Sequence, residues 1–125
     1  MRESEIQSKL IKWAEEYSAV YPELKLLNAS LNGVKTLPKV KIMMYAQGMK
    51  KGYPDLFLPV ARTIGEKVYH GLFIELKSEG GEPKKEQIWW NEQLNEQGYV
   101  AVFCYGIEEA KKIICDYLQR RLGEK

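Results

Sequence analysis

Glu75 and Lys77 stand two residues apart in the run Leu72-Phe73-Ile74-Glu75-Leu76-Lys77. The run is apolar enough to be a strand. Strand side chains alternate faces, so the carboxylate and the ammonium share one face while Ile74 and Leu76 take the other. Burying two such charges costs on the order of several kcal/mol unless they are paired or metal-bound. At a strand end that opens on a cleft they can do chemistry. Asp55 starts the preceding apolar run, "DLFLPVA", and a hairpin joining the two strands brings Asp55 near Glu75. Two carboxylates converging beside a lysine make a Mg²⁺ site, because Mg²⁺ takes hard oxygen ligands and keeps several waters. Lys77 would orient or activate one of those waters. The E-x-K spacing alone is common: Glu23/Lys25, Glu82/Lys84 and Glu109/Lys111 repeat it. The last two fall where helix is expected. Only Glu75/Lys77 has Asp55 for company.

The charge distribution adds a second signal. The net charge of +2 is near neutral, but no acid occurs between Leu24 and Pro54. That stretch holds Lys25, Lys35, Lys39, Lys41, Lys50 and Lys51. A local basic patch on a near-neutral protein suits a phosphate-rich partner, although a solvated lysine face has the same composition. Two cysteines, Cys104 and Cys115, and a single histidine, His70, make neither a disulfide framework nor a His/Cys zinc site. The thiols are expected to pack as small apolar groups, and His70 to sit on a strand surface.

These groups need a scaffold. The 125 residues match one domain, residues 1–125, with enough chain for one core. A hydrophobic content of 45% is globular rather than disordered. No run approaches the roughly 18 apolar residues that span a bilayer, and the polar start "MRESEIQSKL" is no signal peptide. A cytoplasmic protein with no membrane partner is expected.

Ser4 and Gln7 have capping-box spacing, and Ile6, Leu10, Trp13, Ala14 and Tyr17 recur at helical spacing, which predicts a helix over 5–18. "LKLLNAS" reads as a first strand ending at the Asn32-Gly33 turn signal. Pro38 sits near the start of a short helix that Gly48 stops. Strands follow from Asp55 to about Ala61 and over "VYHGLFIELK", joined through 62–67. Pro83 suits the first position of a helix whose Ile88, Leu94 and one of Trp89 and Trp90 face inward. "YVAVFCY" is an apolar strand suited to the centre of a sheet, and 107–121 make a last helix. The order predicts an α/β fold, a small mixed sheet flanked by helices.

Pro54-Asp55 followed by Glu75-Leu76-Lys77 resembles the PD-(D/E)xK nuclease signature, built on a restriction-endonuclease-like core. The wider pattern is similar to the VRR-NUC domain branch. It comprises Glu5 in the opening helix, "GMKKGYPDLFL", "GLFIELK", "EQIWWNEQL" with Gln87, and "GYVAVFCYGIEEA". The name motif V-R-R itself is not present, and the stretch before Gly48 carries lysines where family members carry an arginine. The resemblance implies a Mg²⁺- or Mn²⁺-dependent phosphodiesterase on DNA. Asp55 and Glu75 are then metal ligands, with the Leu76 main-chain carbonyl as a third and Glu5 joining through a bound water. Lys77 positions the attacking water, and Gln87 orients Lys77, the water or the scissile phosphate. Lys35, Lys39, Lys41, Lys50 and Lys51 are the expected DNA contacts. Small members of this kind imply a homodimer acting on structured DNA such as Holliday junctions, from a phage or a bacterial cell. Two other readings fit the same residues: a non-catalytic DNA-binding module with a nuclease fold, and a restriction-type endonuclease. The converging acids disfavour the first, since unfilled carboxylates repel phosphate. The short chain disfavours the second, since recognition by DNA shape needs less protein.

Overall fold

The computed structural model describes residues 1–32 and 35–124. Helix α1 (Glu3–Tyr17) leads through a 3₁₀ turn (Pro22–Leu26) to a two-residue strand, β1 (Asn28–Ala29). Helix α2 (Pro38–Ala46) follows, then strands β2 (Leu56–Leu58), β3 (Arg62–Ile64), β4 (Lys67–Tyr69) and β5 (Leu72–Lys77). Helix α3 (Lys85–Glu96), strand β6 (Val100–Tyr105) and helix α4 (Ile107–Leu118) complete the chain.

The main sheet has the order β1-β2-β5-β6. β1 and β2 are antiparallel, as are β2 and β5, while β5 and β6 are parallel. A parallel pair needs a long crossover, and α3 supplies it. This is the expected mixed sheet with helices on both sides. Leu72, Ile74 and Leu76 of β5 join Ile6, Leu10 and Ala14 of α1 and Ala110, Ile114, Tyr117 and Leu118 of α4 in the larger core. On the opposite face Phe73, Leu94 and Ala101 form a smaller core edged by Tyr53, Phe57, Trp90 and Tyr99. Phe57 and Phe73 are register partners, and their rings stack at 4.1 Å. Such a cross-strand aromatic pair fixes the register that brings Asp55 opposite Glu75.

Several boundaries differ from the sequence reading. Arg2, not Ser4, is the N-cap of α1: its carbonyl takes the N–H groups of Glu5 and Ile6, so the cap lies two residues ahead of the expected hydroxyl. "LKLLNAS" begins inside a 3₁₀ turn and is a strand only at Asn28–Ala29, because Pro22 starts a tight turn that drops Leu24 into the core. The long strand pair is really two. Pro59, which has no N–H to give, lies just past the end of β2. β3 and β4 then form their own antiparallel ribbon. "VYHGLFIELK" breaks at His70-Gly71, where a β-carbon on Gly71 would lie 2.7 Å from the Phe57 ring. The His70 N–H leaves the ribbon for the Gly98 carbonyl at 2.8 Å. His70 is exposed in this link rather than on a strand. Lys84, after Pro83, is the N-cap of α3, and α4 stops at Leu118. Ile88 is exposed, while Trp90 turns inward and Trp89 outward. α2 buries no residue, so Met43 has no core role. Cys104 is buried as expected, and Cys115 half-buried. Asn32 is described, but Gly33 of the turn signal lies outside the described residues.

Candidate active site

Asp55 immediately precedes β2. Extending the Leu56–Ile74 pairing by one residue sets it opposite Glu75, so both carboxylates face the α3 side of the sheet. Asp55 Oδ2 accepts the Leu76 N–H at 2.7 Å. The N–H and C=O of one strand residue point to the same edge, so the Leu76 carbonyl is turned toward that edge as well. The face of β5 thus runs from aromatic to ionic within three positions: Phe73, Glu75, Lys77. All six β5 residues are buried, and Glu75 (5% exposed) and Lys77 (3%) are the only buried charged residues among those described.

Such burial has electrostatic consequences. Glu75 is pushed up to about 9, first by loss of water, then by the charge of Asp55 and by a hydrogen bond with it. The nearby Lys77 pulls the other way, with Nζ 4.0 Å from Glu75 Oε2. Asp55 is also raised by burial, against the lowering effect of the Leu76 N–H. Two crowded, dehydrated carboxyl groups therefore hold a proton between them at neutral pH. The donor set fits a hard divalent ion: two carboxylates and a main-chain carbonyl, with room for waters and substrate oxygens. No three His, Cys, Asp or Glu side chains among the described residues are placed to hold one metal ion together, so protein side chains alone would not encircle the ion. Mg²⁺ is commonly held in this way, by one or two carboxylates plus phosphate oxygens and water.

Gln87 is pinned at both ends. Its Oε1 accepts the Lys84 N–H at 2.8 Å, closing the start of α3, and its Nε2 donates to Glu75 Oε2 at 3.0 Å. It therefore holds Glu75 and ties β5 to α3. Gly52 (φ +87°) completes this junction. A β-carbon there would lie 2.6 Å from Glu86 Cβ, so only glycine lets the loop before Asp55 pass so close to α3.

A cleft of about 490 Å³ opens over these groups. Lys41, Lys51, Lys77 and Lys84 line it beside Gln87 and five acids, Glu3, Asp55, Glu75, Glu82 and Glu86. Not every expected residue reaches this cleft. Glu5 is exposed and accepts the Arg2 guanidinium at 2.9 Å, which also lowers its pKa. Glu3 faces the cleft instead, and its charge raises both Asp55 and Glu75. The helix explains the exchange. At about 100° per residue, Glu3 continues the Ile6-Leu10-Ala14 stripe back one turn, and Glu5 lies well off it. That stripe, legible in the sequence, puts Glu3 on the inward face of α1, and the docking of α1 then carries its first turn to the cleft. Among the lysines, Lys41 and Lys51 line the cleft, Lys51 lying 3.7 Å from Glu86. Lys50 lines a smaller recess beside Tyr53 and Trp90, and Lys35 and Lys39 are exposed away from both. Lys84 was not expected; only the folding of α3 against β5 brings it in.

Comparisons with known proteins agree with this geometry. The VRR-NUC domain family profile matches residues 1–108. A solved structure described as a "VRR_NUC domain protein" is 28% identical, covers 96% of this chain and 90% of its own, and superposes with a TM-score of 0.71. No curated protein sequence is matched. The nuclease-type fold, the acid pair on adjacent strands and a profile match over most of the length lead to one conclusion about ancestry: this chain belongs to the VRR-NUC domain family.

Proposed function

We propose that the protein is a divalent-metal-dependent endonuclease that hydrolyses phosphodiester bonds in branched DNA. One observation carries the reading: Asp55 and Glu75 meet, with Lys77 buried beside them, at the floor of a lysine-lined cleft. Asp55, Glu75 and the Leu76 carbonyl would hold Mg²⁺ or Mn²⁺, and Glu3, in place of Glu5, would reach it through water. Bound there, the ion would supply a nucleophile at neutral pH and charge stabilisation for the phosphorane. Lys77, fixed by packing, sets the attacking water against the phosphorus and adds positive charge where the transition state is most negative. Gln87 keeps Glu75 from rotating. Lys41, Lys51 and Lys84 take the flanking phosphates. Water oxygen bonds to phosphorus as the bond to the leaving 3′ sugar oxygen breaks; the attacking water gives up a proton to solvent and the leaving oxygen takes one, giving a 5′-phosphate and a 3′-hydroxyl.

Lysine contacts to phosphate position DNA but carry no sequence information, so the cleft favours selection by shape. A homodimer suits a four-way junction, because two sites can cut two symmetric strands. Helix α2 is the surface proposed for it: it buries nothing within the chain and exposes Ile42 and Met43.

The test uses end-labelled four-way junction, flap, linear duplex and single-stranded DNA, each with Mg²⁺, Mn²⁺ or EDTA, beside Glu75→Gln. Metal-dependent symmetric cuts in the junction, absent from the variant, are the expected result. Cuts only in the other forms remove the junction preference. Cleavage retained by Glu75→Gln removes the site. Sedimentation at micromolar concentration should give twice the chain mass, and the mass of one chain would refute the dimer.

A further inference from the structure

A second cavity, of about 480 Å³, lies on the other side of the catalytic acids. Glu3 and Asp55 line both cavities, so the two meet at the reacting centre. Their chemistry differs sharply. The first holds four lysines among five carboxylates (Glu3, Asp55, Glu75, Glu82 and Glu86), while the second holds no lysine and, beyond the shared Glu3 and Asp55, only uncharged groups. Its walls are Ser4, Gln7 and Ser8 of α1 with Ser30, and Ile11 closes one end. These α1 residues fall one turn apart in pairs, Ser4 with Ser8 and Glu3 with Gln7, so one helix face presents them together. Ser30 donates to the Pro54 carbonyl at 2.8 Å, which leaves its oxygen able to accept. Among the described residues, the side chains of Ser4, Gln7 and Ser8 have no hydrogen-bond partner within the protein.

A polynucleotide crossing a single cutting point must continue on both sides of it. On one side it meets cations suited to phosphate. On the other it meets neutral donors and acceptors, which suit the sugar and the base edge. We infer that the Ser4/Gln7/Ser8/Ser30 cavity is a nucleoside subsite, taking the uncharged part of the nucleotide on one side of the scissile phosphate. This rests on the nuclease reading above. It gives the cleft a polarity: the strand is held by charge on the lysine side and by neutral hydrogen bonds on the serine side.

The two kinds of grip respond differently to salt. Each lost phosphate contact lowers the slope of log affinity against log salt by about 1, and a lost neutral contact leaves it unchanged. The experiment measures binding of a fluorescein-labelled four-way junction by anisotropy over a salt series, with Ca²⁺ and with EDTA. Gln7→Ala/Ser8→Ala, changes on accessible positions of α1, should weaken binding about 10-fold, as for two lost hydrogen bonds, with the wild-type slope. Lys41→Ala/Lys84→Ala should reduce the slope by about 2. Wild-type affinity in the α1 double variant, a penalty that tracks salt, or no binding of DNA by the wild type would each overturn the subsite. In cleavage reactions, an abasic nucleotide on one side of the cut should erase the penalty of the α1 variant, and on the other side leave it. Equal penalties on both sides would also refute it. Failure of the nuclease reading is a separate result: wild type that binds but never cuts leaves the salt slopes readable.

Discussion

The two faces of β5 are equally buried but serve opposite ends. On one, Leu72, Ile74 and Leu76 close against α1 and α4. On the other, Phe73 packs among aromatic rings while Glu75 and Lys77 lie dehydrated beneath the cleft. Burying the first face stabilises the fold by about 25 cal/mol per Å² of apolar surface. Burying the second costs free energy, because water solvates a carboxylate better than a protein interior does. The same strand therefore anchors the domain with alternate residues and holds a dehydrated, destabilised pair of ionisable groups with the others. The rigidity of the apolar face is what keeps the charged face from relaxing into solvent.

This contrast can be broken by substitution. The largest effect expected is on Glu75. Glu75→Gln should cut cleavage by about 10³-fold or more, since metal-assisted catalysis is worth several kcal/mol. Its metal-free stability should change by less than about 1 kcal/mol, because at neutral pH the wild-type group already carries a proton and the amide is its isostere. Single-turnover cleavage and urea unfolding measure the two quantities; a large loss of stability would merge the roles of the two faces. Ile74→Ala next door should do the reverse. It should cost about 2–5 kcal/mol of stability, read from urea midpoints, while the folded fraction keeps its cleavage rate.

Gln87→Ala tests whether orientation of Glu75 matters. Removing an outer partner of a metal ligand typically costs about 10–100-fold in metal affinity or activity. Titration of Mg²⁺ or Mn²⁺ against thermal melting reads that affinity without needing turnover, and an unchanged titration would show that Glu75 needs no support. Glu3→Gln should lower activity about 10-fold as a more distant contributor, while Glu5→Gln leaves it unchanged. The reverse ranking would restore Glu5 to the site.

The smallest effect lies in the apolar core. The Tyr117 hydroxyl donates to the Val60 carbonyl at 2.6 Å, and burial pushes it from the ordinary 10.0 up to about 12. Between those values the unfolded chain loses its proton while the folded one keeps it. The folded state then binds more protons, so stability falls as pH rises through that window. Tyr117→Phe should cost about 1 kcal/mol near neutrality and flatten the alkaline fall in urea midpoints. A fall of the same steepness in the variant would assign it to another group.

Much of this was legible because it follows short-range rules. Alternation along "LFIELK" set Glu75 and Lys77 on one face, and an antiparallel neighbour beginning at Asp55 put the second acid opposite. The helical stripes of α1 and α4 and the glycine stop of α2 are likewise written in residues three or four apart. The ribbon β3–β4 was harder to see, since an unbroken apolar run hides a change of partner at Gly71 that depends on the Phe57 ring.

By itself, then, the sequence determined the principal helices, the mixed sheet and the approach of Asp55, Glu75 and Lys77 to one another. Only the tertiary structure decided that Glu3 rather than Glu5 enters the cleft, that Lys84 joins Lys41 and Lys51 there, and that Gln87 grips Glu75. Those outcomes depend on how α1 rotates against the sheet and on where the first turn of α3 meets the end of β5. Both are long-range packing choices, governed by apolar surfaces far apart in the chain and not by the charged residues they bring together.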